Sequence, residues 1–220
     1  MSPIKLNDVI IEKLDSTKFL GILLDKHLTF KPHIAFISSK IAKNLGILFK
    51  IKHYLPRDIR LNLYYSFIYP YLIYGINIWG GNYPTRLQPL IILQKRSLRF
   101  ILNLSYNSHV SHFFPTMKIM NIYQLHIFRI LCFMYRYFHN LLPITFKNLF
   151  TDIHFQYGSK YKYCYQLPYC RTNYLKYSVR FFGPQQWNKL PQDIKLLNSY
   201  DLFKKKTEEI ILTNSSYFLD

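Results

Sequence analysis

From His33 onward the apolar residues of this chain recur every three or four positions, the period of helices that each bury one face. Ile34, Ile37, Ile41, Leu45 and Leu48 form one such stripe. Lys40, Lys43 and Lys50 lie off it, and Pro32 stands where a first helical turn accepts proline. Pro56 marks a second helix start, with Ile59, Leu63 and Phe67 following at steps of four, and Pro70 should end or kink that helix. A third helix is expected from Arg86 to about Leu102, with Leu87, Leu90, Ile91, Leu98 and Ile101 inward. Lys95 and Arg99, one turn apart, and the adjacent Arg96 give it a compact basic face. A fourth is expected over about 122–139, directing Ile127, Ile130, Leu131, Met134 and Phe138 to a core. A last helix, capped by Asn198 or Ser199, should turn Leu202, Phe203, Ile210 and Ile211 inward.

Two stretches depart from this period. Residues 7–13 and 18–24 are short apolar runs on either side of Asp15-Ser16 and read as two strands of a hairpin. An isolated hairpin is marginal in water, so this one is expected to be the edge of a larger sheet. Residues 151–191 are rich in Tyr, Lys and turn formers such as Gly158 and Pro168, and read as loops with room for a hairpin. The expected fold is mainly α. A short β-hairpin occupies 1–30, a helical bundle 31–103, and a helical region 104–220 with an irregular or β segment at about 155–182.

Charge narrows the partner. Lys and Arg number 29 against 11 Asp and Glu, a net +18, which calls for a polyanion: nucleic acid or an anionic membrane surface. Half of the 220 residues are hydrophobic, which excludes a disordered basic tail. Residues 61–85 carry no charge, but they hold Pro70, Pro84, Asn62, Asn77, Asn82 and Gly80-Gly81. They are expected to form a buried helix and loop rather than a membrane span. The odd count of three cysteines and a start without an apolar leader point to a reducing intracellular compartment, nucleus or cytoplasm, and not to secretion. Cys164 and Cys170, with His154 before them, lack the close pairing of zinc ligands, so no metal is expected on this chain. Neither a G-x-S-x-G elbow nor a phosphate-binding loop is present, so no small-molecule substrate is expected.

Several segments, taken in order, carry a resemblance. Phe19-Leu20-Gly21-Ile22 is followed by Asp25, Leu28, Thr29, Phe30 and His33-Ile34. Leu63-Tyr64-Tyr65-Ser66 and Ile68-Tyr69-Pro70-Tyr71-Leu72 lead to Trp79-Gly80, and then come Leu90, Leu93-Gln94-Lys95-Arg96 and Arg99. Near the end stand Gly183-Pro184, Trp187-Asn188, Leu190-Pro191 and Phe203-Lys204. This succession resembles the C-terminal part of the reverse transcriptases of non-LTR (LINE-type, Jockey-like) retrotransposons, with Phe30 where that family usually has Trp. The resemblance implies that the opening hairpin is the edge of a palm and that the helices to about residue 103 are a thumb lying along the template–primer duplex. Leu20, Gly21, Asp25, His33, Trp79, Gly80, Gln94, Gly183, Pro184, Trp187, Asn188 and Pro191 would be structural motif residues, with Trp79 and Trp187 as packing anchors. Lys40, Lys43, Lys50, Lys95, Arg96 and Arg99 would meet the nucleic-acid backbone.

The family's polymerase needs divalent metal, normally Mg2+, held by palm carboxylates that include an Asp-Asp pair. This sequence has no adjacent Asp-Asp, and Asp15 and Asp25 read as turn residues at strand ends. The chain is therefore expected to be non-catalytic, without catalytic residues or a cofactor of its own. Its expected partners are RNA and DNA in a template–primer duplex, together with the palm and fingers of a parent polymerase. A stand-alone nucleic-acid-binding protein derived from such an element is the alternative. A basic membrane-associated protein is a third reading.

Overall fold

The computed structural model describes residues 5–7, 9–10, 12–153 and 163–213, and among them the chain is mainly helical, with eleven α-helices and two antiparallel strand pairs. The first pair joins Lys5–Leu6 (β1) to Val9–Ile10 (β2). The second joins Ser16–Phe19 (β3) to Ile22–Asp25 (β4), with Ser16 opposite Asp25 and Phe19 opposite Ile22. The run 18–24, expected as one strand, thus folds back on itself at Leu20-Gly21 instead of pairing with 7–13. Both turn residues have positive φ, 44° and 82°, as a two-residue hairpin turn that matches strand twist requires, and Gly21 adopts it without steric cost. Tyr74 holds the turn by donating its hydroxyl to the Leu20 carbonyl at 2.5 Å.

Asp25 organises the exit from the hairpin. Its carboxylate accepts from the Thr29 amide (3.0 Å), the Thr29 hydroxyl (2.9 Å) and the Phe30 amide (2.7 Å). Burial disfavours its charged form, but these hydrogen bonds outweigh that cost and leave the carboxyl below its usual pKa. The link delivers the chain into Lys31–Ile51 (α1). Its buried residues are His33 and the whole expected stripe: Ile34, Ile37, Ile41, Leu45 and Leu48.

The next helix, Arg57–Phe67 (α2), starts after Pro56 as expected but turns a different face inward. Arg60 and Tyr64 are buried, whereas Ile59 and Phe67 are exposed. The guanidinium of Arg60 donates from Nη1 to the Lys52 carbonyl at 3.2 Å while its stem covers the core, and its Nε is buried without a partner among the described residues. Beyond the break at Ile68, where Pro70 acts as expected, come Tyr69–Ile73 (α3) and Ile76–Trp79 (α4). Among the described residues no helix is long and apolar enough to cross a membrane.

The third predicted helix is Pro84–Ile101 (α5). Leu87, Leu90, Leu98 and Ile101 are buried as expected, and Leu93, Gln94, Ser97 and Phe100 join them. After Phe113–Thr116 (α6), Ile122–Phe138 (α7) becomes the centre of the molecule, packed against α3, α4, α5 and two later helices. Its start is a capping box. Asn121 accepts from the amides of Tyr123 and Gln124, and the Gln124 side chain accepts from the Asn121 amide.

The C-terminal part follows expectation in its irregular segment, its antiparallel bridge and its last helix, and departs from it at Gly183-Pro184. Residues 154–162, with His154 and part of the expected loop, lie outside the described residues. The neighbouring segment forms a bridge between Asp152 and Tyr165 and the short helix Asn173–Lys176 (α8). Gly183-Pro184, expected in a loop, lie inside the helix Val179–Lys189 (α9). Burial of Gly183, Pro184, Gln186 and Trp187 outweighs the hydrogen bond that Pro184 cannot make. Gln192–Lys195 (α10) and Tyr200–Thr213 (α11) follow. Phe203 and Ile211 face inward as expected with Thr207, and Leu202 is exposed. One buried apolar cluster runs from Ile22 to Ile211.

His126 of α7 is fully enclosed. Its ring stacks on Phe182 at 4.9 Å, its Nε2 has no hydrogen-bond partner, and burial pushes its pKa down to about 4. Its folded pKa is below the ordinary value of about 6.5, so this site stabilises the fold fully above pH 6.5. That contribution is lost as pH falls toward 4, by about 3 kcal/mol. Urea unfolding of wild type and His126→Phe at pH 7 and pH 4 checks this. The loss of stability on acidification should be smaller in the variant, and equal losses would contradict it.

Candidate nucleic-acid interface

The sequence of α1, from Lys31 to Ile51, contains no acidic residue. With the stripe His33 to Leu48 committed to the core, the opposite face of α1 presents Phe36, Lys40, Lys43, Ile47 and Lys50, at alternating steps of four and three. All five side chains are exposed. Lys40 lies 5.6 Å from the centre of the Phe36 ring. None of the three lysines has a carboxylate partner among the described residues, whereas Lys26 is paired with Asp15 and Lys204 with Asp201. From Lys40 to Lys50 the strip is about 15 Å long at the helical rise of about 1.5 Å per residue. It is a line of unneutralised positive charge broken only by apolar contact surface.

The trio on α5 is placed differently. Lys95, Arg96 and Arg99 are each half-buried. Arg99 donates from Nε to the Ser108 carbonyl at 3.0 Å and lies 5.8 Å from the Tyr106 ring, which ties down the loop after α5. Lys95 lines a small cavity with Phe114, Pro115 and Tyr123. Arg96 keeps a buried Nε without a partner. The structure therefore groups the predicted basic residues helix by helix. It leaves the α1 lysines free and engages part of the α5 set within the fold.

Several of the motif residues occupy packing joints, whereas Leu20, Gly21 and Pro191 are exposed. His33 meets the edge of Trp79 at 5.7 Å and accepts from the Leu23 amide at 3.4 Å, joining the hairpin, α1 and α4. Trp79 is fully buried and donates Nε1 to the Tyr74 carbonyl at 2.8 Å. Gly80 follows it, where a Cβ would stand 2.5 Å from the Ile76 carbonyl oxygen and 2.8 Å from the His126 ring. Gln94 donates to the Met120 carbonyl at 3.2 Å. Trp187 is likewise buried and donates to the Tyr163 carbonyl at 3.1 Å. Asn188 pairs with the backbone of Tyr165 at both its amide (2.9 Å) and its carbonyl (2.8 Å). Pro191 precedes α10.

The carboxylates of the hairpin are consumed locally, Asp15 by Lys26 and Asp25 by Thr29 and Phe30. Among the described residues no three His, Cys, Asp or Glu side chains come together as a metal site. Cys164 accepts from the buried Lys195 at 3.5 Å, and Cys170 contacts the Thr172 carbonyl.

Comparison with known proteins gives consistent relatives. Over 108 residues the chain is 32% identical to the probable RNA-directed DNA polymerase from transposon BS of Drosophila melanogaster, a stretch equal to 48% of this chain and 12% of that protein. Over 102 residues it is 33% identical to the RNA-directed DNA polymerase from the mobile element jockey of the same fly, covering 44% and 11%. The probable RNA-directed DNA polymerase from transposon X-element is 28% identical over 103 residues, covering 45% and 11%. The matched stretch is thus about a tenth of each relative's length. No protein-family model and no solved structure matches.

Proposed function

From this relatedness to retrotransposon polymerases we propose that the chain is the C-terminal, non-catalytic part of a non-LTR reverse transcriptase, and that it grips the backbone of a template–primer duplex through α1. The observation that carries the proposal is the exposed line of Lys40, Lys43 and Lys50 on a helix without acidic residues. Lysines so placed neutralise phosphates and release condensed counterions. They give affinity without choosing a base sequence. Phe36 and Ile47 between them offer apolar contact to the sugar face of the strand. No chemistry is assigned to this part. Its sequence has no Asp-Asp pair, and its hairpin carboxylates serve the fold.

The test is binding of the purified chain to a labelled RNA–DNA hybrid over a salt series. Wild type should bind at low salt and weaken steeply as salt rises. The triple variant Lys40→Gln, Lys43→Gln, Lys50→Gln keeps good helix formers on an exposed face and should stay folded. Its slope of log affinity against log salt should be shallower by about 2 to 3, close to one for each phosphate that is no longer neutralised. A folded wild-type chain that does not bind the hybrid at low salt would defeat the proposal. An unchanged slope in the folded variant would remove α1 from the interface.

A further inference from the structure

Between the hairpin end of α1, the start of α5 and helix α8 lies a cavity of about 390 Å³, within the range of sites that enclose small ligands, roughly 300–1,000 Å³. Three segments far apart in sequence build it: 28–30, 78–86 and 172–178. Its walls are aromatic, from Phe30, Tyr83, Tyr174 and Tyr177, with the Tyr83 and Tyr177 rings meeting edge to face at 5.1 Å. One cation sits among them. The Arg86 guanidinium lies 4.8 Å from the Tyr83 ring centre and uses Nη1 on the Asn82 side chain (3.1 Å) and the Thr29 carbonyl (3.5 Å). Among the described residues its Nη2 and Nε hydrogens have no hydrogen-bond partner. Among the described residues no carboxylate lines the cavity. Asn173 donates from Nδ2 to the Tyr83 hydroxyl at 2.7 Å, and its side-chain Oδ1, with no donor among the described residues, can accept from a ligand's amino group. At the mouth, Tyr174 is 63% exposed and meets no other ring among the described residues.

We infer that this cavity takes one unpaired nucleotide of a single strand, its base against the tyrosine rings and its phosphate toward Arg86. The chemistry needs both halves of that ligand. Flat aromatic walls suit a base face, an unneutralised guanidinium suits a phosphate, and the Asn173 oxygen suits an exocyclic amine. A paired base cannot enter, because its faces are stacked and its edge is already bonded. The inference rests on the proposal that the chain binds nucleic acid, but it concerns a different surface from the α1 lysines, one that phosphate contacts alone would not require.

The two are separated by comparing a blunt RNA–DNA hybrid with a hybrid that carries a four-nucleotide single-stranded extension and the same total number of phosphates. With 2-aminopurine placed in the extension, the full chain should bind the extended hybrid about tenfold more tightly than the blunt one, the value of one stacked base, and the probe's fluorescence should change. Tyr174→Ala, at an exposed position, should bring that affinity ratio to one, and Tyr174→Phe should keep it because the ring remains. Equal affinities of wild type for the two hybrids would overturn the cavity inference and leave the backbone proposal standing. Binding of the extended hybrid with no binding of the blunt one would support the cavity and defeat the α1 proposal. Failure of the folded chain to bind either would overturn both.

Discussion

Trp79→Ala should lower the free energy of unfolding by about 3–5 kcal/mol, the cost of emptying a large buried aromatic site. Trp79 is fully enclosed. Its ring meets the edge of His33 at 5.7 Å, and its Nε1 satisfies the Tyr74 carbonyl at 2.8 Å. Truncation would leave a void at the joint of hairpin, α1 and α4, and would also leave that carbonyl without its donor. Trp79→Phe retains most of the packing and loses the hydrogen bond, so its cost should be nearer about 1–3 kcal/mol. Since a domain of this kind is stable by only about 5–15 kcal/mol in total, the Ala variant should unfold at a markedly lower urea concentration by circular dichroism. A loss below about 1 kcal/mol, typical of ordinary positions, would mean that the joint is not closed around the ring.

The second large effect is expected at Gly81. A Cβ there would stand 2.2 Å from the backbone oxygen of Tyr177, an atom that no side-chain rotation can move aside. Gly81→Ala should therefore destabilise the fold by about 1–3 kcal/mol or more, in the manner of an overpacked core, and push α8 off its seat. Gly46 of α1 is the internal control, because a Cβ there meets nothing within 4 Å. Gly46→Ala should stabilise by about 0.5–1 kcal/mol through helix propensity alone. Thermal melts of the two variants should move in opposite directions. An unshifted melt for Gly81→Ala would show that α8 does not rest on residue 81.

Helices whose burial follows a clean apolar period are readable from the sequence. All five residues of the α1 stripe are buried, because nothing on that helix competes for the inward face. The inward face of α2 is not legible in this way. Arg60 and Tyr64, buried through an aliphatic stem and a large ring, count as polar in any search for apolar steps. α9 escapes sequence reading because Gly-Pro is a local breaker signal and the burial that overrides it is a tertiary effect. The capping box at Asn121 and Gln124 carries a readable signature that periodicity alone passes over. In the candidate interface, the exposure of Lys40, Lys43 and Lys50 follows from the stripe they avoid. The half-burial of Lys95 and Arg99 depends on α6 and the 102–112 loop folding back over α5. The aromatic cavity is beyond sequence reading, since Phe30, Tyr83 and Tyr174 belong to no common local pattern.

Gln124, while capping its own helix, also donates to the Ile211 carbonyl at 3.1 Å, a bond between residues 87 positions apart. The same helix receives α11 along its flank and gives the Tyr135 hydroxyl to the Leu197 carbonyl at 2.6 Å. During synthesis α7 leaves the ribosome long before either acceptor exists. At translation rates of about 5–20 residues per second, earlier helices α3, α4 and α5 can already pack on α7, but the flank that α11 covers must wait several seconds for it to arrive. The growing chain is thus most exposed to chaperone capture or aggregation in the interval between the emergence of α7 and that of α11.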